Sequence, residues 1–61
     1  MRAVVKGYDI NVIYQGINTY IVEKDGEQVY FGWDWGDVLR ITGVTWDEFY
    51  DAYIEKRKET V

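Results

Sequence analysis

Apolar and polar residues alternate along the first half of the chain. Between residues 8 and 14 every second residue is apolar, which is typical of a strand with one buried face. Residues 19–24 and 27–32 are rich in β-branched and aromatic residues and flank Asp25-Gly26, a dipeptide typical of two-residue hairpin turns. Gly16-Ile17-Asn18 reads as a three-residue loop between the first two segments. The pattern predicts a three-stranded antiparallel meander.

The loop lengths predict which residues face each other across this sheet. The expected cross-strand pairs are Lys24–Glu27, Val22–Val29, Tyr20–Phe31, Tyr14–Tyr20 and Val12–Val22. The predicted core face comprises Ile10, Val12, Tyr14, Tyr20, Val22, Val29 and Phe31. The same register aligns Ile13, Ile21 and Tyr30 on the opposite face, where polar residues are expected.

The second half of the chain has the spacing of helices. Asp34 is placed as an N-cap and Gly43 as the residue that ends a first helix. Thr45 and Glu48 form the capping-box pattern of a second helix, and from Trp46 onward aromatic residues recur at helical spacing. The order β-β-β-α-α predicts an α+β fold, in which residues 1–61 form a single domain and both helices pack on one sheet face.

The residue inventory argues against catalysis. His, Cys and Ser are absent, which removes the common nucleophiles, the usual general base near neutral pH and the two commonest zinc ligands. The glycines are dispersed at turns and do not form a phosphate cradle. We therefore predict no catalytic residue, no metal and no cofactor. A carboxylate-based enzyme is the remaining catalytic alternative, but 61 residues leave little room for a substrate cleft.

The net charge of the chain favours some classes of binding partner over others. The formal net charge is −4, which disfavours nucleic acid and anionic membranes as partners and favours a basic surface on another protein. No segment approaches the roughly 20 apolar residues of a membrane span. The absence of Cys fits a cytoplasmic protein.

A row of carboxylates follows one face of the second predicted helix. Asp47, Asp51 and Glu55 are spaced by four residues, Glu48 lies beside them and Glu59 extends the row. Like charges at this spacing are mildly destabilising. Because such a row resembles a strand of phosphates, it predicts DNA mimicry, with an ordinary solvated helix face as the alternative.

The apolar residues on the back of the sheet form a second candidate surface. Ile13, Ile21 and Tyr30 would lie side by side on a face that no helix covers, which favours an interface, either with a partner or in a homodimer. Scattered surface apolar residues are the alternative. Trp33 and Trp35 alternate around Asp34, so one of them is expected to stay exposed as a binding anchor.

Three short features resemble those of a known family. They are Tyr8-Asp9, the Asp25-Gly26 turn followed by Tyr30, and the spacing from Asp37 to Gly43-Val44-Thr45-Trp46-Asp47-Glu48. The combination is similar to the small dimeric uracil-DNA glycosylase inhibitors of Bacillus phages. The resemblance implies a phage-encoded inhibitor that blocks a nucleic-acid enzyme or defence system in the host cytoplasm.

Overall fold

The computed structural model describes residues 1–59, apart from the side chain of Glu59, and shows one antiparallel sheet and two helices. The elements are β1 (Arg2–Val5), β2 (Tyr8–Tyr14), β3 (Asn18–Lys24), β4 (Glu27–Gly32), α1 (Trp35–Thr42) and α2 (Trp46–Glu59). The strands lie in the order β1-β2-β3-β4. The α+β class is confirmed, whereas the prediction of three strands was wrong because β1 precedes them.

The turn between β1 and β2 explains why the first strand was missed. Lys6-Gly7 has φ values of 53° and 82°, nearly the same as the 54° and 80° of Asp25-Gly26. Both are two-residue turns with positive φ at each position, a conformation that favours Asn or Asp before Gly and disfavours Lys. The Lys6 ammonium donates a hydrogen bond to the carbonyl of Gly43 at 2.9 Å. This contact ties the first hairpin to the junction between the two helices.

The loop between β2 and β3 occupies residues 15–17, one position earlier than predicted. Tyr14 therefore pairs with Asn18, and Val12 pairs with Tyr20 instead of Val22. A shift of two residues in the pairing keeps each side chain on its predicted face, because side chains alternate with a period of two. Tyr14 lies at the end of its strand and is exposed, so its predicted place in the core was wrong.

A β-bulge changes the fourth strand more severely. The Lys24–Glu27 pair is confirmed, but the register shifts between Val22 and Glu23, and Val29 becomes an extra residue. One inserted residue exchanges the faces of the residues that follow it. Tyr30, predicted on the back, therefore pairs with Val22 on the core face.

The same shift removes two residues from the predicted core. Tyr20 pairs with Gly32 instead of Phe31, and Phe31 moves to the back opposite Ile21. Val29 and Phe31 are 40% and 60% exposed. The prediction that these two residues are buried was wrong.

The core lies between the sheet and the helices. Its buried apolar members are Ala3, Ile10, Val12, Tyr20, Val22, Val38, Val44 and Phe49. Helix α2 packs across β1, and α1 packs against β3. Both helices thus cover the same sheet face, as predicted, and no helix formed by residues 1–59 lies on the other face.

Both helix starts and the helix junction have the predicted caps. The Asp34 carboxylate accepts a hydrogen bond from the Gly36 amide at 2.9 Å, and Gly43 adopts the left-handed conformation with its amide bound to the Leu39 carbonyl. The buried Thr42 hydroxyl donates to the Val38 carbonyl at 2.7 Å and accepts from the Val44 amide at 3.0 Å. These bonds satisfy polar groups at a buried helix end.

Candidate protein-binding surfaces

Helix α2 presents the predicted acidic row to solvent. Asp47, Asp51 and Glu55 are all exposed. Residues four apart on a helix rise about 6 Å along its axis, so the carboxylates form a regular series. Glu55 pairs with Lys58 at 3.5 Å. Among residues 1–59, no hydrogen bond or ion pair engages Asp47 or Asp51, and the predicted extension at Glu59 lies outside the described side chains.

Glu48, predicted beside this row, caps the start of α2. Its carboxylate accepts a hydrogen bond from the Thr45 amide at 3.0 Å, and the Thr45 hydroxyl accepts one from the Glu48 amide at 3.1 Å. The second carboxylate oxygen lies 3.4 Å from the Lys6 ammonium. The bond from the Thr45 amide, aided by the Thr45 hydroxyl and Lys6, lowers the pKa of Glu48. Glu48 is therefore engaged in capping α2 and is less available to a partner.

Two aromatic side chains run beside the acidic row. Trp46 and Tyr50 are 38% and 46% exposed. Each precedes an acid of the row by one residue, which displaces it by about 100° around the helix. The Trp46 ring also packs edge-on against Trp35 at 5.1 Å between centroids, which holds it in place. We define the α2 outer surface as Trp46, Asp47, Tyr50, Asp51 and Glu55.

The back of the sheet carries the second candidate surface. Ile21 and Phe31 are cross-strand partners, and Ile13 is half-buried on the adjacent strand. Trp33, just after β4, is 72% exposed and shares with Phe31 the lining of a depression of about 310 Å³. We define the sheet-back surface as Ile13, Ile21, Phe31 and Trp33. The exposure of one tryptophan beside Asp34 is confirmed.

Phe31 replaces Tyr30 in the predicted sheet-back set. The Tyr30 side chain is half-buried against the core. Its hydroxyl has one hydrogen to donate and lies 3.3 Å from the Asp34 carbonyl oxygen and 3.2 Å from an Asp37 carboxylate oxygen. Burial raises the pKa of Tyr30, and the nearby carboxylates of Asp37 and Asp34 raise it further. Placing Tyr30 on the sheet back was wrong, because the bulge in β4 exchanges it with its neighbour.

A polar corner borders the sheet-back surface. The Arg2 guanidinium donates two hydrogen bonds to the Asp9 carboxylate, at 2.9 and 2.6 Å. These bonds lower the pKa of Asp9 and raise that of Arg2. Glu23 and Asn11 line the same shallow depression. The sheet back thus divides into an apolar region near β4 and a hydrogen-bonded polar region near β1.

Within residues 1–59, no group of three or more acidic side chains is arranged to hold a metal ion. Neither helix there is both long and apolar enough to cross a membrane. No protein family, curated protein or solved structure matches the chain. The resemblance to the phage glycosylase inhibitors stays a prediction.

Proposed function

We propose that this protein is a small acidic inhibitor that binds a basic surface of another protein through the α2 outer surface. The observation that carries the proposal is the pair of unengaged carboxylates, Asp47 and Asp51, each directly beside an exposed aromatic ring. Like charges four residues apart slightly destabilise a helix, although Asp47 in the first turn also interacts favourably with the helix dipole. A partner with matching cations would compensate their repulsion.

The aromatic rings and the carboxylates of the α2 outer surface have complementary roles in binding. Trp46 and Tyr50 supply large rings of the kind that dominate binding energy at protein interfaces. Asp47 and Asp51 select a basic partner and accelerate encounter with it. Because the carboxylates repeat at about 6 Å, the target is a groove that otherwise holds the phosphates of a nucleic acid. The protein then acts by occupying that groove and catalyses no reaction.

A capture experiment with charge-reversed variants tests this function. The full chain is immobilised and exposed to bacterial lysate at low salt and at about 0.5 M salt, where exposed charges are largely screened. Captured proteins are identified by mass spectrometry. We expect a nucleic-acid-binding protein that is retained at low salt, released at high salt, and displaced by added DNA.

The matched variants separate a specific contact from general charge. Asp51→Lys combined with Glu55→Lys should abolish capture. Asp51→Lys alone should weaken capture far more than Glu27→Lys, which makes the same change of charge at the β3–β4 turn. Trp46→Ala should weaken capture at low salt without changing the net charge, since the ring contributes packing and not charge. Capture that survives the double reversal, or that Glu27→Lys removes equally, would contradict the proposal.

A further inference from the structure

We propose that a second copy of this chain covers the sheet-back surface, giving a face-to-face dimer whose two α2 outer surfaces point away from each other. This inference goes beyond the proposed inhibitor function, because it concerns the opposite side of the molecule. It begins from Phe31, which is 60% exposed opposite the half-buried Ile21. Ile13 lies one strand away, diagonal to Ile21, and Trp33 shares a depression with Phe31. Asp34 and Asp37 also line that depression, so the apolar region has acidic residues at its margin.

The edges of the sheet are poorer contacts than its face. A free strand edge can recruit another chain, and proteins oppose this with charges, bulges or a covering helix. At one edge, α2 packs across β1, and Arg2 and Lys6 flank the strand. At the other edge, the bulge at Val29 interrupts β4. Both edges are thus defended, whereas the back face has no comparable protection near Phe31.

The exposed area is sufficient for a weak dimer. An aromatic side chain buries roughly 150–250 Å² in full, so at 60% and 72% exposure Phe31 and Trp33 each offer roughly 90–180 Å². The rings of two copies together contribute roughly 400–660 Å², and the isoleucines and polar rim bring the total toward about 1,000 Å². This area is below the roughly 1,200–2,000 Å² of stable interfaces and is typical of weak ones. A weak interface dissociates on dilution, so we expect monomer at low micromolar concentration and dimer toward about 1 mM.

The distribution of charge favours a second copy over a charged partner at this face. The Arg2–Asp9 pair is internally neutral and, with Glu23, lines a depression that also includes Ile21. The acidic row lies on α2, on the helix-covered side of the sheet and not on its back. Exposed charges separated by more than the screening length of about 8 Å at physiological salt interact weakly. The net charge of −4 therefore opposes back-to-back association only weakly.

Self-association has a direct consequence for the proposed inhibitor. A two-fold axis between the sheet backs would leave one acidic helix on each outer side of the dimer. Such a dimer could engage two basic grooves at once, on two target molecules or on the two halves of a symmetric target. Small domains also gain stability when a second copy removes apolar surface from water.

Sedimentation of the full chain from 10 µM to 1 mM tests the dimer. We expect the mass to rise from 7.3 kDa toward twice that value as concentration increases. Phe31→Lys should raise the dissociation constant at least tenfold. Tyr14→Lys introduces the same charge at a residue that is 75% exposed outside the surface, and it should leave the dimer intact. Circular dichroism verifies that both variants are folded.

A residue-resolved measurement locates the contact. On dilution, amide NMR signals of Ile13, Ile21 and Phe31 should shift, while those of Asp51 and Glu55 should not. A native chain that stays monomeric at 1 mM, a dimer unaffected by Phe31→Lys, or dilution shifts confined to α2 would each overturn the proposal. The inhibitor function is tested separately, because Asp51→Lys with Glu55→Lys should abolish partner capture without changing the sedimentation profile.

Discussion

The two faces of the sheet are built from similar apolar residues but differ in how far these residues are buried. On the helix-covered face, Ile10 and Val22 are completely buried, and Phe49 closes over them from α2. On the back, Ile13 and Ile21 alternate with these residues in the same strands but are only half-buried, and Phe31 is mainly exposed. In a two-layer domain, the number of helices decides how much apolar sheet surface is covered. Here two short helices cover one face, and the apolar character of the other face requires a separate explanation.

A matched pair of phenylalanine substitutions should show the largest difference between the faces. Phe49→Ala should lower the free energy of unfolding by about 3–5 kcal/mol, because the ring is fully buried and leaves a cavity. A loss of this size threatens the fold of a small domain. Phe31→Ala should cost less than about 1 kcal/mol at low micromolar concentration, where the chain is expected to be monomeric.

Urea denaturation of both variants measures this difference. If the back face contacts a second copy, the cost of Phe31→Ala should grow as the protein concentration is raised, while that of Phe49→Ala should not. Equal costs for the two substitutions at low concentration would contradict the assignment of the faces.

Removing the N-terminal cap of α2 should lower the free energy of unfolding less than removing the buried Phe49 ring. Thr45→Ala removes the hydroxyl that accepts the Glu48 amide hydrogen, which typically costs about 1 kcal/mol. Thr45→Ser retains the hydroxyl and should remain near the native stability. Thermal unfolding of the three proteins at one concentration provides the comparison. A similar loss for the alanine and serine variants would mean that the methyl group, and not the cap, stabilises the helix start.

The smallest expected effect is the loss of stability in acid, to which one carboxylate on each side of the sheet contributes. The pKa of Glu48 in the cap and that of Asp9 on the back are both lowered in the folded state, from ordinary values of 4.5 and 3.8. A depressed folded pKa contributes stability above the unfolded value that is lost as the pH falls through the folded value. Stability should therefore decline below about pH 4.5, and this decline should be shallower in Glu48→Gln and in Asp9→Asn.

Urea midpoints measured between pH 7 and pH 2.5 check this expectation. Asp51→Asn serves as the control, because this exposed carboxylate has no hydrogen bond or ion pair among the described residues. A decline unaltered in both Glu48→Gln and Asp9→Asn would assign the acid sensitivity to other groups.

The predicted fold succeeded where local chemistry determines structure. Asp25-Gly26 combines a residue that tolerates positive φ with a glycine, and the predicted turn is present. The caps at Asp34, Gly43 and Thr45 also bond as their residue types predict. The matching turn at Lys6-Gly7 was missed because its lysine is held by long-range contacts to Gly43 and Glu48. Those contacts exist only after the helices have packed.

The candidate surfaces were likewise predictable only where the local sequence determines the structure. The exposure of Asp47, Asp51 and Glu55 follows from helical periodicity and was predictable. The exchange of Tyr30 for Phe31 on the sheet back follows from the bulge at Val29, and a run of strand-forming residues gives no sign of where an extra residue is inserted. The hydrogen bonds of Tyr30 to Asp34 and Asp37 are consistent with its place on the core side.

The three tryptophans make the two sides of the molecule optically distinguishable. Trp35 and Trp46 lie 5.1 Å apart at an interplanar angle of 88°, so coupling between the indoles should appear in the near-ultraviolet circular dichroism and vanish when the helices detach. Trp33 stands alone on the sheet back at 72% exposure and should emit at long wavelength. A Trp33→Phe variant isolates the emission of the helix-side pair. Contact at the sheet back would shift only the Trp33 emission to the blue, whereas contact at the α2 outer surface would alter Trp46.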